Sequence, residues 1–445
     1  METDPKLKLL IVSYLFPPNG GIAVQRALGL AKYLPPNGFE VHILKARNAA
    51  SPADDPGLLQ HIPPSVRVHD AFTPEIPFHL RQRIWKFMSR PGKPPAGPSA
   101  ESGGEGSRSG WKALFSRVAR RIFCPEPEIL WVPFAVRQAR KIVRRYAIDA
   151  VLITAPPFSA FVAGTKLKRE FPYLKLIADF RDEWLSFYLK DFDFQNSPHT
   201  RRRAEEIERE TVEQSDLVVA VTESSLQEIR NRYPDQPDAK FVCVPNGYDP
   251  EVVSPFPPRR RTDDKVVVTH MGTVYKTASP QYYLDALDAL PEEIRSRFQT
   301  RFIGRISEDL REILQNRKSE IQILGFMAQK QALEHVAETD YLLLTMTNDI
   351  SLPGKLFEYL AMGRPILALS RSRGEVRGIL ETTRTGWCAD FDDKAAIQSM
   401  LRRAAQHGST PSPFAPDWTA IRRFERPVLA RRYGDLIRSL WPARS

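Results

Sequence analysis

Short apolar runs alternating with helix-length patterns constrain this 445-residue chain more than any other feature. Strands separated by helices cannot pair through tight turns, so they cross over and run parallel, which predicts an α/β fold with parallel sheets. The first half supplies LKLLIVSYLF (7–16), EVHILK (40–45), DAVLIT (149–154), LKLIADF (174–180), DLVVAVT (216–222) and KFVCVPNG (240–247), with helical patterns at 21–34, 158–169 and 199–214. SPFPPRRRTDD (254–264), rich in proline and charge, reads as a linker. The alternation then restarts with KVVVTHMG (265–272), RFIG (301–304), EIQILG (320–325), DYLLLTM (340–346), RPILALS (364–370) and GWCADF (386–391). The length also favours two cores over one. The expected organisation is therefore an N-terminal parallel α/β domain over 1–253, a linker over 254–264, a second such domain over 265–415, and a last helix within 416–445 that packs back across the domains.

Several function classes are disfavoured early. Cys124, Cys243 and Cys388 lie far apart with no pairing logic, and the eight histidines show no metal-binding spacing. The N-terminal apolar run lacks a cleavage site, and no uncharged apolar stretch reaches the length of a spanning helix, so a cytoplasmic protein is expected. The net charge of +11 is concentrated: residues 79–147 hold 15 Lys or Arg against 4 Glu, and the rest of the chain is balanced. That points to a local anionic partner rather than to nucleic acid. Within this region 91–110 is small, polar and helix-breaking and reads as disordered. After it, Trp111, Leu114, Phe115, Val118 and Ile122 share a helical stripe, with Lys112, Arg117, Arg120 and Arg121 mainly off it. Such a basic amphipathic insertion within 77–123 can lie on an anionic membrane surface, or the stripe can pack on the domain core.

Three strings carry candidate chemistry. SYLFPPNGGIAVQRALGLAKYL puts Asn19, Gly20 and Gly21 between a strand and a helix, where backbone N–H groups can meet an anion. In SLPGKLFEYLAMGRPILAL, Pro353 suits the first helical position and leaves the amides of Gly354, Lys355 and Leu356 facing a potential anion. Lys355 adds a positive charge there, and Glu358, one turn on, can accept both hydroxyls of a ribose; a solvent-facing Lys–Glu pair is the plain alternative. In DFRDEW, Asp179, Arg181 and Asp182 follow a strand and so stand at the carboxyl edge of a sheet, with Trp184 beyond them. Arg181 between two carboxylates is also what a purely structural cluster would look like. Asp191 and Asp193 form a D-x-D with no supporting pattern around it.

The string around Lys355 and Glu358 resembles the donor-site signature of glycosyltransferase family 4, retaining enzymes of the GT-B fold, and the resemblance runs over almost the whole chain. PPNGGIAVQRALGLAKYL looks like that family's N-terminal glycine loop, TAPPFSAFVAGTKLKREFPYLKLIADFRDEW like its double-proline and D-x-R-D-x-W segment, and VPNGYD like its Asn-Gly turn. HMGTVYKTASPQYYLDAL resembles the loop opening its second domain. What this implies is two Rossmann-like domains facing across a cleft, a nucleotide-sugar donor and no metal cofactor. Gly21, Gly272, Lys276, Arg305, Gly354, Lys355, Leu356 and Glu358 would bind the donor. Asp182 and Arg181 would be catalytic, and Asp179 and Trp184 would lie on the acceptor side. The implied acceptor is lipid-linked or a polysaccharide, reached from the cytoplasmic face of a membrane. The chain departs from the pattern at Ile350, where the family carries a first glutamate and Asp349 stands one residue out of register, and at Ala278, where a basic residue is usual. Those departures keep open a degenerate sugar or partner binder, and the fold also hosts nucleotide-sugar epimerases.

Overall fold

Each sheet of the computed structural model is wholly parallel, as the alternation of apolar runs requires. The structure describes residues 6–49, 54–74, 123–188, 197–257, 264–275, 278–327, 329–347, 352–371, 374–407 and 414–442. The insertion at 77–123 apart from Phe123, the Asp191 and Asp193 pair, Lys276, Asp349 and Ile350 lie outside these residues.

The chain divides into two compact units, the first comprising Met1–Val221, Leu226–Cys243 and Ala430–Ser445. Its seven strands are β1 (Leu7–Ser13), β2 (Phe39–Ala46), β3 (Arg67–Ala71), β4 (Ala150–Ala155), β5 (Lys175–Phe180), β6 (Leu217–Ala220) and β7 (Phe241–Cys243), in the order β3-β2-β1-β4-β5-β6-β7. Leu9–Val12 on β1 and Ala150–Ala155 on β4 are buried throughout, the signature of a parallel sheet covered on both faces. The principal helices are α1 (Ile22–Tyr33), α2 (Val132–Tyr146), α3 (Phe161–Glu170), α4 (Pro198–Gln214) and α5 (Glu223–Arg232). On α2, Val132, Ala135, Val136, Ala139, Ile142 and Val143 are buried, while Arg140 and Arg144 reach out to Glu170. Part of the basic excess thus sits on the solvent face of a core-packed helix.

The second unit comprises Thr222–Ser225 and Val244–Leu429. Its strands are β8 (Val266–Met271), β9 (Phe298–Ile303), β10 (Glu320–Gly325), β11 (Tyr341–Thr345), β12 (Ile366–Leu369) and β13 (Gly386–Ala389), ordered β10-β9-β8-β11-β12-β13. The helices are α6 (Gln281–Asp288), α7 (Glu292–Arg295), α8 (Gln329–Ala337), α9 (Lys355–Ala361), α10 (Glu375–Thr383), α11 (Lys394–His407) and α12 (Trp418–Arg422), while α13 (Arg426–Arg438) belongs to the first unit from Ala430 onward. Among the described residues no helix is long and apolar enough to cross a membrane.

Three features differ from the sequence expectation. The units divide before the proline-rich linker, because Tyr248 and Val253 pack into the second unit's core and the Tyr248 amide donates to the Phe424 carbonyl at 3.0 Å. β3 has no apolar run because it is an edge strand, exposed over most of its length. The terminal stretch forms two helices rather than one, broken ahead of Pro427, whose ring suits a helix's first turn and not its interior.

One buried ion pair holds α1, β5 and α13 together within the first unit. Arg26 from α1 grips Asp179 with both Nε (3.0 Å to Oδ2) and Nη2 (2.8 Å to Oδ1). The Tyr433 hydroxyl donates to Asp179 Oδ1 at 2.6 Å and accepts from Arg26 Nη2 at 2.7 Å. Asp179 is fully buried, and despite that burial the Arg26 guanidinium holds its carboxyl below the usual range. Removing one partner would leave the other charge buried and alone, so Arg26→Met should destabilise the chain by about 3–5 kcal/mol. Arg26→Met combined with Asp179→Leu should recover much of that loss. Urea unfolding of the full chain checks this; an Arg26→Met variant as stable as wild type would contradict it.

Candidate functional site

In an open parallel sheet, ligands bind beyond the carboxyl ends of the strands where the strand order reverses. In the second unit the reversal falls between β8 and β11. β8 ends at Met271, and the Tyr359 hydroxyl of α9 ties the helix there by accepting from the Met271 N–H at 2.8 Å and donating to its carbonyl at 3.2 Å. The next residue, Gly272, has φ +122°, and a Cβ on it would stand 3.3 Å from Lys355 Nζ. Gly304 packs against it so closely that a Cβ there would fall 2.4 Å from the Gly272 carbonyl oxygen. Glycine is required at both places, and the result is a lysine ammonium lying over half-buried backbone that carries no side chain.

Lys355 is held by His270. Its Nζ lies 3.0 Å from His270 Nε2, and His270 Nδ1 lies 3.2 Å from the Leu343 carbonyl oxygen of β11. The Leu343 carbonyl can only accept, so Nδ1 carries the proton and Nε2 is left to accept from the ammonium, with the Thr273 backbone also hydrogen-bonded to the ring. Burial, reinforced by the Lys355 charge, keeps His270 well below its ordinary value and therefore neutral. Burial likewise pushes Lys355 down to about 7, opposed by Glu358. On the next turn of α9, burial pushes the Glu358 carboxyl up, opposed by Arg426 and then Lys355. Glu358 is half-buried, and its side chain takes no hydrogen bond from the described residues. A cation and an open carboxylate one turn apart can hold a ligand that joins an anion to a pair of hydroxyls.

The structure brings together Gly272, Gly354, Lys355 and Glu358, with Arg305 at the same sheet edge, its guanidinium 4.9 Å over the Phe326 ring. Two details of the helix start differ from expectation. Pro353 precedes α9 rather than opening it, and the Leu356 amide is committed to the Pro353 carbonyl at 2.9 Å. The Leu356 side chain is fully buried, which leaves the amides of Gly354 and Lys355 as the backbone donors.

Gly21 belongs to the first unit, where its φ of +86° turns the chain into α1 and a Cβ would meet nothing within 4 Å. Nearby, Arg181 donates to the carbonyls of Ala155, Pro156 and Ala23, cross-linking the ends of β4 and the start of α1. Asp179 faces Arg26 and Tyr433 in the interior and is thereby removed from any acceptor. Trp184 is 1% exposed and stacks on Phe158 at 4.6 Å, so its ring belongs to the core rather than to an acceptor-side surface. Asp182 remains half-buried, its carboxyl pushed up by burial against the opposing charge of Arg181.

His270, Tyr359 and Arg426 were not legible as site residues. The available signal was a histidine at the end of the valine run VVVTHMG and a tyrosine directly after Glu358. Because burial sets Lys355 near 7, it is charged below that pH and neutral above it. Lysine side-chain NMR should show one resonance titrating near pH 7 that disappears in Lys355→Met. All lysines titrating near their ordinary value of about 10.4 would contradict this.

Residues 89–252 match the family model described as Glycosyltransferase Family 4, and residues 265–407 match that described as Glycosyl transferases group 1. No curated protein matches the chain. Among solved structures it is similar to sucrose-phosphate synthase from Thermosynechococcus elongatus, with TM-score 0.62 and 12% identity over 98% of this chain and 99% of that one. HepE from Anabaena, in complex with UDP and glucose, gives TM-score 0.62 and 15% identity over 97% and 100%. WaaG, a glycosyltransferase involved in lipopolysaccharide biosynthesis, gives 0.56 and 14% over 96% and 95%. With successive family matches along its length and two parallel Rossmann-like units, the chain belongs to glycosyltransferase family 4 and is a glycosyltransferase of the GT-B fold.

Proposed function

We propose that the chain takes a sugar from a nucleoside-diphosphate sugar held on the second unit and delivers it, with retention, to a lipid-linked or polysaccharide acceptor at the cytoplasmic face of a membrane. The observation that carries the donor half is Lys355 over Gly272 with the Glu358 carboxylate open one turn beyond. In this reading Lys355 meets the diphosphate, Glu358 takes the ribose hydroxyls, and protein cations rather than a metal offset the charge that develops on the leaving group. Arg305 and Lys276 are the further cations assigned to that task. HepE has been solved with UDP-glucose, which supports a nucleotide-sugar donor on this fold.

On the first unit, Asp182 is the carboxylate offered to the acceptor, and Arg181 sets the loops that present it. The membrane half rests on charge: residues 79–147 hold the whole net excess of +11. Retention and a hexose donor follow from the family resemblance.

Calorimetric titration with uridine, guanosine, adenosine and cytidine diphosphates tests the donor half. Wild type should bind one of them, and Glu358→Ala should weaken it by about 1.5–3 kcal/mol, the scale of hydrogen bonds to a charged group. Unchanged affinity in Glu358→Ala would remove the ribose assignment. For the membrane half, the chain should sediment with anionic vesicles, and progressively less as salt rises, because exposed charges are screened beyond about 10 Å at 0.1 M. Equal sedimentation with neutral vesicles, or none with either, would contradict it.

A further inference from the structure

We propose that His270 is a positioning residue for the anion-binding ammonium: its imidazole, fixed as the Nδ1–H tautomer by the Leu343 carbonyl, presents Nε2 to Lys355 and holds Nζ over Gly272. The assignment rests on the nucleotide reading of the same site and adds to it a residue that touches neither donor nor acceptor.

Burying an imidazole at the end of an apolar strand is costly unless both ring nitrogens find partners. Here both do: a main-chain carbonyl of β11 lies at 3.2 Å and the lysine ammonium at 3.0 Å, and the ring has a further hydrogen bond with the Thr273 backbone. The first contact fixes the ring, because a carbonyl accepts only from N–H. The second uses what the first leaves, a lone pair on Nε2 aimed at Nζ. His270 is fully buried, so its orientation is set by β8 and β11 and not by solvent.

The chemistry of the partner matters as much as the geometry. Lysine carries its charge on a flexible four-carbon stem, and a site that relies on it must order that stem when the anion arrives. A neutral acceptor orders it beforehand, which lowers the cost of binding. A carboxylate in the same place would order it too, but would form an ion pair that the incoming diphosphate would have to break. An imidazole held neutral orients the ammonium and leaves its charge for the ligand. Glycine at 272 completes the arrangement, because a Cβ there would crowd Nζ at 3.3 Å.

Two substitutions separate the ring's contacts. The amide of His270→Asn reaches about as far as Nδ1 and keeps a donor for Leu343, whereas that of His270→Gln reaches about as far as Nε2 and keeps an acceptor for Lys355. The probes are the nucleoside diphosphate that wild type binds among the four above, and its parent nucleoside. His270→Asn should weaken the diphosphate about tenfold or more and the nucleoside less than about twofold, while His270→Gln stays within about threefold of wild type for both. In a Lys355→Met background, His270→Asn should cause no further loss, since the two act as one unit. His270→Leu serves in its place if the Asn variant does not fold. Equal behaviour of Asn and Gln, equal weakening of diphosphate and nucleoside, or additive losses with Lys355→Met would each overturn the assignment. Wild type binding none of the four diphosphates would instead overturn the donor reading, and this assignment with it.

Discussion

A parallel sheet must be covered on both faces, since its crossovers place helices there. Both sheets of this chain obey that constraint, and it decides where chemistry can occur. Val266–Val268 and Leu342–Leu344 are buried along their length, so the central strands of the second unit offer nothing to a ligand until their carboxyl ends. There the strand order reverses, the apolar run VVVT gives way to His270, Met271 and Gly272, and α9 is tied down by Tyr359. The candidate ligand-binding groups sit at the edge where these strands end.

The chain treats two enclosed basic residues in opposite ways, and the contrast separates structure from function. Arg26 meets a carboxylate and a tyrosine hydroxyl, so its charge is neutralised and the contact works as a cross-link. Lys355 meets a neutral imidazole and half-buried glycine backbone, so its charge is oriented but not cancelled. The first arrangement is complete without a ligand. The second has an ammonium pushed down to about 7 and an open carboxylate one turn away, and an anion would stabilise the charged form of that lysine.

The fold was largely legible because a buried parallel strand reads as an apolar run, and twelve of the thirteen strands overlap the runs read from the sequence, β9 only in its last three residues. β3 was not, since an exposed edge strand carries no such run. Within the site, Lys355 and Glu358 were legible because three-residue spacing on a helix is local information. Asp179 was correctly placed at a strand end, but its partners stand 153 and 254 residues away in Arg26 and Tyr433, a distance no motif spans. The same applies to His270, separated from Lys355 by 85 residues. Trp184 illustrates the converse. Its place in D-x-R-D-x-W implied the acceptor side, whereas its ring is buried and stacked on Phe158 in the core.

The central claim is that Lys355 and Glu358 form one site, which reads a diphosphate and a ribose together. An experimental structure of the chain with a bound nucleoside diphosphate tests it most directly. The account predicts the diphosphate against Gly272 within hydrogen-bonding reach of Lys355 Nζ, and both ribose hydroxyls on the Glu358 carboxylate. A nucleotide bound elsewhere on the chain, or at α9 with its ribose turned away from Glu358, would contradict it.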